Sequence, residues 1–195
     1  MEEKNYKTIF IGDCSVGKTS ICRSLMKKPM DQRYEATIGA AYSILSITQP
    51  EVDTKYTFHI WDTAGQERFH SLLPLYFRNA PICIIVFDVM DLESYNHITM
   101  WYKLYRNYSN LDSQILYLVG NKIDLRTETN GITREMGENQ ANEIGAFYDE
   151  TSAIEDHTCH VFDNISTMLA GIPKYQYMKE EVRHVIEKNN NQCSC

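Results

Sequence analysis

The sequence predicts an α/β fold: a three-layer domain with a mostly parallel, six-stranded sheet and helices on both faces. Three observations predict it. Short apolar runs alternate with stretches of helical spacing along the chain, the pattern of helices packed over a parallel sheet. The run Ile82-Cys83-Ile84-Ile85-Val86-Phe87 is interrupted by no polar residue, as a strand buried on both faces requires. Finally, Gly12-Asp13-Cys14-Ser15-Val16-Gly17-Lys18-Thr19 fits G-x-x-x-x-G-K-[ST] and directly follows the apolar Thr8-Ile9-Phe10-Ile11. A strand, a glycine-containing loop and a helix start in that order deliver backbone N–H groups to a phosphate.

Residues 6–12 are the first strand and 17–28 the helix after the loop. Residues 41–49 and 54–62 are two strands joined through Pro50-Glu51-Val52-Asp53, a hairpin connection. The continuous run 82–87 is the buried strand, followed by Ile115-Leu116-Tyr117-Leu118-Val119 and a short last strand at 146–149. Helical stretches fall near 68–78, 93–108, 133–144 and 156–170. Gly171-Ile172-Pro173 closes the globular part, so the domain is expected over 1–172 and a flexible tail over 173–195.

Bulk properties bound the function. The 195 residues suffice for one well-buried domain, and 43% hydrophobic with 23% charged residues is ordinary for a globular chain. A formal charge of −7 argues against a nucleic-acid partner, which calls for a basic face. There is no apolar run of the roughly 18 residues needed to span a bilayer. The start, Met1-Glu2-Glu3-Lys4-Asn5, lacks the apolar core of a secretory signal. Cys14, Cys22, Cys83 and Cys159 show no disulfide-like spacing, and Cys193 and Cys195 crowd the end; a reducing compartment is expected.

Four motifs carry chemistry. In the loop, Lys18 reaches β- and γ-phosphates and the Thr19 hydroxyl suits Mg²⁺. Asp62-Thr63-Ala64-Gly65-Gln66-Glu67 follows the strand-like Phe58-His59-Ile60-Trp61. An acid there can hold Mg²⁺ through a water, Gly65 offers an N–H that approaches the γ-phosphate, and Gln66 can orient an attacking water. In Asn121-Lys122-Ile123-Asp124, the Asp124 carboxylate can accept both N1–H and the 2-amino group of guanine, a pair adenine does not present. The backbone of Glu150-Thr151-Ser152-Ala153 can donate to guanine O6.

On these motifs the chain resembles the Ras-like small GTPases over roughly residues 6–170. The resemblance implies GTP and GDP as ligands, Mg²⁺ as cofactor, and slow hydrolysis that switches partners. It implies catalysis by Gln66 and Lys18. Nucleotide contacts are implied for Ser15, Val16, Gly17, Lys18, Thr19, Ser20, Tyr34, Thr37, Gly65, Asn121, Lys122, Asp124, Ser152, Ala153 and Ile154. The metal ligands implied are Thr19, Thr37 and Asp62. Thr37, in Glu35-Ala36-Thr37-Ile38-Gly39, is expected to meet Mg²⁺ only in the GTP state. Loss of the γ-phosphate would then release Thr37 and Gly65 and loosen residues 30–40 and 63–76.

Within that superfamily Ile38-Gly39-Ala40-Ala41-Tyr42, Trp61 through Phe69 and Tyr76-Phe77-Arg78 resemble Rab switch sequences. Thr37 through Tyr42 with His70-Ser71-Leu72 is similar to Rabs of early endosomes. Tyr42, Trp61 and Tyr76 stand where Rabs present an aromatic triad to effectors. Gln192-Cys193-Ser194-Cys195 is similar to the Cys-x-Cys ending that carries two geranylgeranyl groups, and with a near-neutral tail both lipids are needed for stable attachment. The implied partners are an exchange factor, an activating protein, a GDP-dissociation inhibitor, effectors and a membrane. The implied location is the cytoplasmic face of an intracellular membrane, endosomal by the switch sequence, in exchange with the cytosol.

Three positions depart from the pattern. Cys14 replaces a glycine or serine, Met30 an aromatic, and Ile154 a lysine. Because a side chain at Cys14 crowds the γ-phosphate and Gln66, the alternative reading is a hydrolysis-impaired, constitutively GTP-bound module that only binds effectors.

Overall fold

The computed structural model describes residues 1–27, 37, 39–65, 73–109, 114–155 and 160–171. Its strands are β1 (Glu2–Ile11), β2 (Ala40–Gln49), β3 (Thr54–Thr63), β4 (Ile82–Asp88), β5 (Ile115–Asn121) and β6 (Phe147–Thr151). Its helices are α1 (Lys18–Leu25), α2 (Leu73–Phe77), α3 (Leu92–Asn96), α4 (Ile98–Tyr108), α5 (Arg134–Ile144) and α6 (Val161–Leu169). The six strands form one sheet in the order β2-β3-β1-β4-β5-β6. All pairings are parallel except β2 with β3, the hairpin the sequence predicts.

Alternation along each strand sorts the apolar side chains to two faces. Ile9, Ile11, Cys83, Ile85, Phe87, Leu116 and Leu118 pack with α2, α4 and α5 through Phe77, Trp101, Tyr105 and Ile144. Phe10, Ile82, Ile84, Val86, Tyr117 and Val119 face the other way and meet α1 and α6 through Ile21, Phe162, Ile165 and Met168. Both layers are dry: Phe10, Ile85, Phe87, Tyr105 and Phe162 are each no more than 1% exposed. Among the described residues no helix is long and apolar enough to cross a membrane.

The structure refines the predicted elements where long-range pairing overrides local pattern. β1 begins at Glu2 rather than at residue 6, because β3 presents a full-length edge and pairs it from Glu2↔Thr54 to Phe10↔Asp62. The hairpin connection is a 3₁₀ turn at Pro50–Val52 closed by Asp53 in a left-handed conformation. The predicted helix 93–108 is broken at His97 into α3 and α4, while Asp91 caps its start by accepting from the Glu93 N–H at 3.0 Å. β5 and β6 run on through Asn121 and Thr151, which carries the two guanine motifs onto strand ends.

Candidate functional site

The motifs converge at the carboxyl ends of β1, β3, β5 and β6, where the strand order reverses about β1; an open α/β sheet places its ligands there. The loop from Gly12 to Gly17 wraps because its backbone adopts angles that side chains disfavour. Gly12 has φ +138° and a Cβ there would lie 2.2 Å from the Val86 carbonyl oxygen. Gly17 has φ +96° and a Cβ would lie 2.2 Å from Asn121 Nδ2. Only glycine fits at either position. Gly17 also starts α1 with no side-chain cap, leaving that helix's first N–H groups available to an anion.

Lys18 and Asp62 are the charged groups beneath this loop. The Lys18 ammonium donates to the carbonyls of Gly12 at 2.8 Å and Asp13 at 2.6 Å. Lys18 is only 5% exposed, and burial pushes its ammonium down to about 8 against the pull of Asp62. Burial likewise raises the Asp62 carboxyl, opposed by the Thr19 hydroxyl and Lys18. Thr19 Oγ1 donates to Asp62 Oδ2 at 2.6 Å and lies 2.9 Å from Thr37 Oγ1. The other Asp62 oxygen is buried and finds no hydrogen-bond partner among the described residues. Two hydroxyls and a carboxylate with a spare oxygen form a hard-oxygen donor set, which suits Mg²⁺.

Gly65 lies against the same loop. A Cβ there would stand 2.4 Å from the carbonyl carbon and oxygen of Asp13 and 2.5 Å from the Cys14 nitrogen, so its backbone rests on that peptide. Cys14 itself is exposed.

The other end is tied by side chains that hold one another. Asn121, 1% exposed, donates from Nδ2 to the Val16 carbonyl at 2.8 Å and accepts from the Ala153 N–H at 3.2 Å. It thereby links the loop to both base motifs. Ser152 donates to Asp124 Oδ1 at 2.5 Å, fixing one carboxylate oxygen. Lys122, in a left-handed conformation, pairs with Asp88 at 2.6 Å. Behind them Arg126 forks onto Glu150 at 2.6 and 2.8 Å, and Tyr148 donates to the same carboxylate at 2.9 Å. A cavity of about 420 Å³ opens here, lined by Ser15, Gly17 and Ser20 on one wall and Asp124, Ala153 and the exposed Ile154 on the other.

Away from the cleft, Tyr42, Trp61 and Tyr76 form one aromatic row: centroids are 5.2 Å apart for the first pair and 5.4 Å for the second. Tyr42 is 50% exposed. Tyr34, Gln66, Met30, Cys193 and Cys195 lie outside the described residues. Sequence reasoning missed Asp13, whose carboxylate is bonded to Trp101 and His97, since no local pattern joins residues 84 and 88 positions apart.

A six-stranded sheet in this order, with a G-x-x-x-x-G-K-T loop closing its first strand and the Asn121–Asp124 and Ser152–Ala153 motifs ending its last two, defines an α/β P-loop GTPase fold. The sequence pattern of the Ras family matches residues 7–171. The GTP-binding protein YPT52 of Saccharomyces cerevisiae is 33% identical, over 96% of this chain and 91% of that protein. The chain belongs to the Ras family and is a small GTPase. Within the family its switch residues resemble those of early-endosomal Rabs.

Proposed function

We propose that this is a Rab-type switch that binds GTP and GDP with Mg²⁺, hydrolyses GTP slowly, and marks a membrane for vesicular traffic, endocytic by its switch sequence. The observation that carries the reading is the meeting of Thr19, Thr37 and Asp62 beside the buried ammonium of Lys18. Thr19 and Thr37 are assigned as direct cation ligands and Asp62 as a ligand through water. Bound Mg²⁺ would neutralise charge on the phosphate oxygens. Lys18 and the N–H groups of Ser15, Val16, Gly17, Lys18, Thr19 and Ser20 hold the phosphates. Gly65 offers its N–H to the terminal phosphate, and Gln66 orients the attacking water. Asn121, Lys122, Asp124, Ser152, Ala153 and Ile154 enclose the base, and Tyr34 is assigned as a further nucleotide contact.

Thr37 sits three residues before β2, and Gly65 two residues after β3, so both switch contacts hang from one hairpin. Release of the terminal phosphate removes a partner from both at once. Tyr42, Trp61 and Tyr76 stand on that hairpin and the helix after it, which supports reading the aromatic row as the surface effectors use to sense the nucleotide state. Charge stabilisation by these residues is incomplete, and an activating protein that adds an arginine, or its own glutamine, would accelerate such hydrolysis by about 10³–10⁵-fold. Cys193 and Cys195 are the proposed geranylgeranyl sites, which a GDP-dissociation inhibitor would cover in the cytosol.

The test is nucleotide identity and single-turnover hydrolysis on purified protein with Mg²⁺. Guanine nucleotide with slow phosphate release that drops in Gln66→Leu supports the switch. GTP that is never hydrolysed, even with activating proteins, replaces it with the fixed-state binding module and points to Cys14. Undiminished GTP and Mg²⁺ affinity in Thr19→Asn removes the cation assignment.

A further inference from the structure

The side chain of Asp13 has no place in the phosphate, cation or base contacts assigned above, yet both its oxygens are engaged. Oδ1 accepts the Trp101 indole N–H at 2.6 Å, and Oδ2 lies 2.7 Å from His97 Nδ1. Trp101 is buried at 1% exposure, and a buried N–H bonded to a carboxylate is a strong, charge-assisted contact. His97 occupies the single-residue break between α3 and α4, so both grips come from one helical segment.

The backbone of the same residue is held from two more sides. Its carbonyl accepts Lys18 Nζ at 2.6 Å. Gly65 rests on the Asp13–Cys14 peptide so closely that a Cβ would stand 2.4 Å from it. Asp13 is therefore held through its side chain by the α3–α4 segment, and through its peptide by Lys18 and by Gly65 of the 63–76 segment.

We propose that Asp13, Trp101 and His97 are positioning residues for GTP hydrolysis. By clamping the Asp13 peptide they set where Lys18 and Gly65 stand relative to the terminal phosphate, and they couple the α3–α4 surface to that phosphate. The proposal rests on the phosphate-loop reading above. A side chain that positions the site acts through geometry, and a small displacement of catalytic groups is costly in rate.

The experiment compares wild-type full-length chain with Trp101→Phe, His97→Ala, His97→Asn and Asp13→Ala, and with Asp13→Ala combined with Trp101→Phe. The readouts are melting temperature, affinity for GDP and for a non-hydrolysable GTP analogue, and single-turnover rate well below melting. Trp101→Phe and His97→Ala each lower the rate by roughly tenfold and weaken the GTP analogue more than GDP. His97→Asn, which keeps a side-chain N–H for the carboxylate, returns most of the lost rate. Trp101→Phe adds nothing in the Asp13→Ala background, because the two act through one contact. Lower melting temperatures with wild-type rates and an unchanged GTP-to-GDP affinity ratio make the tether purely structural and overturn the proposal; so do additive effects in the combined variant. Should Trp101→Phe not fold, the partly exposed His97 pair decides alone. A wild-type protein that binds no guanine nucleotide overturns the underlying function instead, before any variant is compared.

Discussion

The two ends of the nucleotide cleft hold their polar groups in opposite ways. At the base end nearly every side chain is partnered by another part of the protein: Asn121 by Val16 and Ala153, Asp124 by Ser152, Lys122 by Asp88, and Glu150 by Arg126 and Tyr148. At the phosphate end the charges are buried against their own preference. Lys18 is pushed down and Asp62 up by loss of solvent, and one oxygen of Asp62 has no described partner. The end around Asn121 and Asp124 is built to a fixed geometry, which suits its proposed role in discriminating between bases. The Lys18–Asp62 end stores an electrostatic cost of burial, which on the proposed reading a polyanion and a cation would relieve.

That contrast can be broken by substitutions that act on one end only. The largest effect is expected from Asp124→Ala, which removes the carboxylate proposed to accept two guanine donors. GTP and GDP should weaken alike, by about 100-fold or more, measured by competition with a fluorescent nucleotide. A greater loss for GTP than for GDP would mean that the two ends are not separable.

Gly65→Ala comes next and works at the other end. Its methyl group meets backbone at 2.4 Å, which cannot yield as a flexible side chain would. The GTP analogue should weaken by about tenfold, with GDP little changed, so titration of both nucleotides reads the difference. Equal losses would place Gly65 outside the terminal-phosphate contact.

Glu150→Gln sharpens the comparison through stability. Burial alone would raise this carboxyl, but the bonds from Arg126 and Tyr148 overcome it and hold Glu150 below its ordinary 4.5. The folded value is the lower one, so the contribution is present in full above the ordinary value and is lost as pH falls through the folded one. Chemical denaturation at neutral pH should show a loss of about 2 kcal/mol. The acid limb of the variant should be shallower than that of the wild type; parallel acid limbs would remove Glu150 from the network.

The smallest effect is expected from Tyr42→Phe. It removes an exposed hydroxyl 2.5 Å from His59 Nδ1 while keeping the ring beside Trp61. Stability should move by less than about 0.5 kcal/mol, and nucleotide affinity not at all. A change in either would tie the aromatic row to the cleft more tightly than the geometry suggests.

Much of this molecule was legible in local pattern. The continuous apolar runs of β4 and β5 were readable as strands covered on both faces, because only a strand buried from both sides can dispense with polar residues. The loop from Gly12 to Thr19 was readable because its pattern demands glycines and a helix start at fixed offsets, and the place of Asp124 because its motif follows an apolar strand directly. Tertiary structure alone decided the rest. Four polar residues joined β1 because β3 supplied a waiting edge, and a predicted single helix broke at His97. Asn121 reached Val16 across 105 positions, and Trp101 reached Asp13 across 88. Periodicity and turn chemistry act between neighbours in the chain, so the sequence displays them. A hydrogen bond between distant residues depends on where the packed core carries each partner, and that is set only when the whole chain has folded.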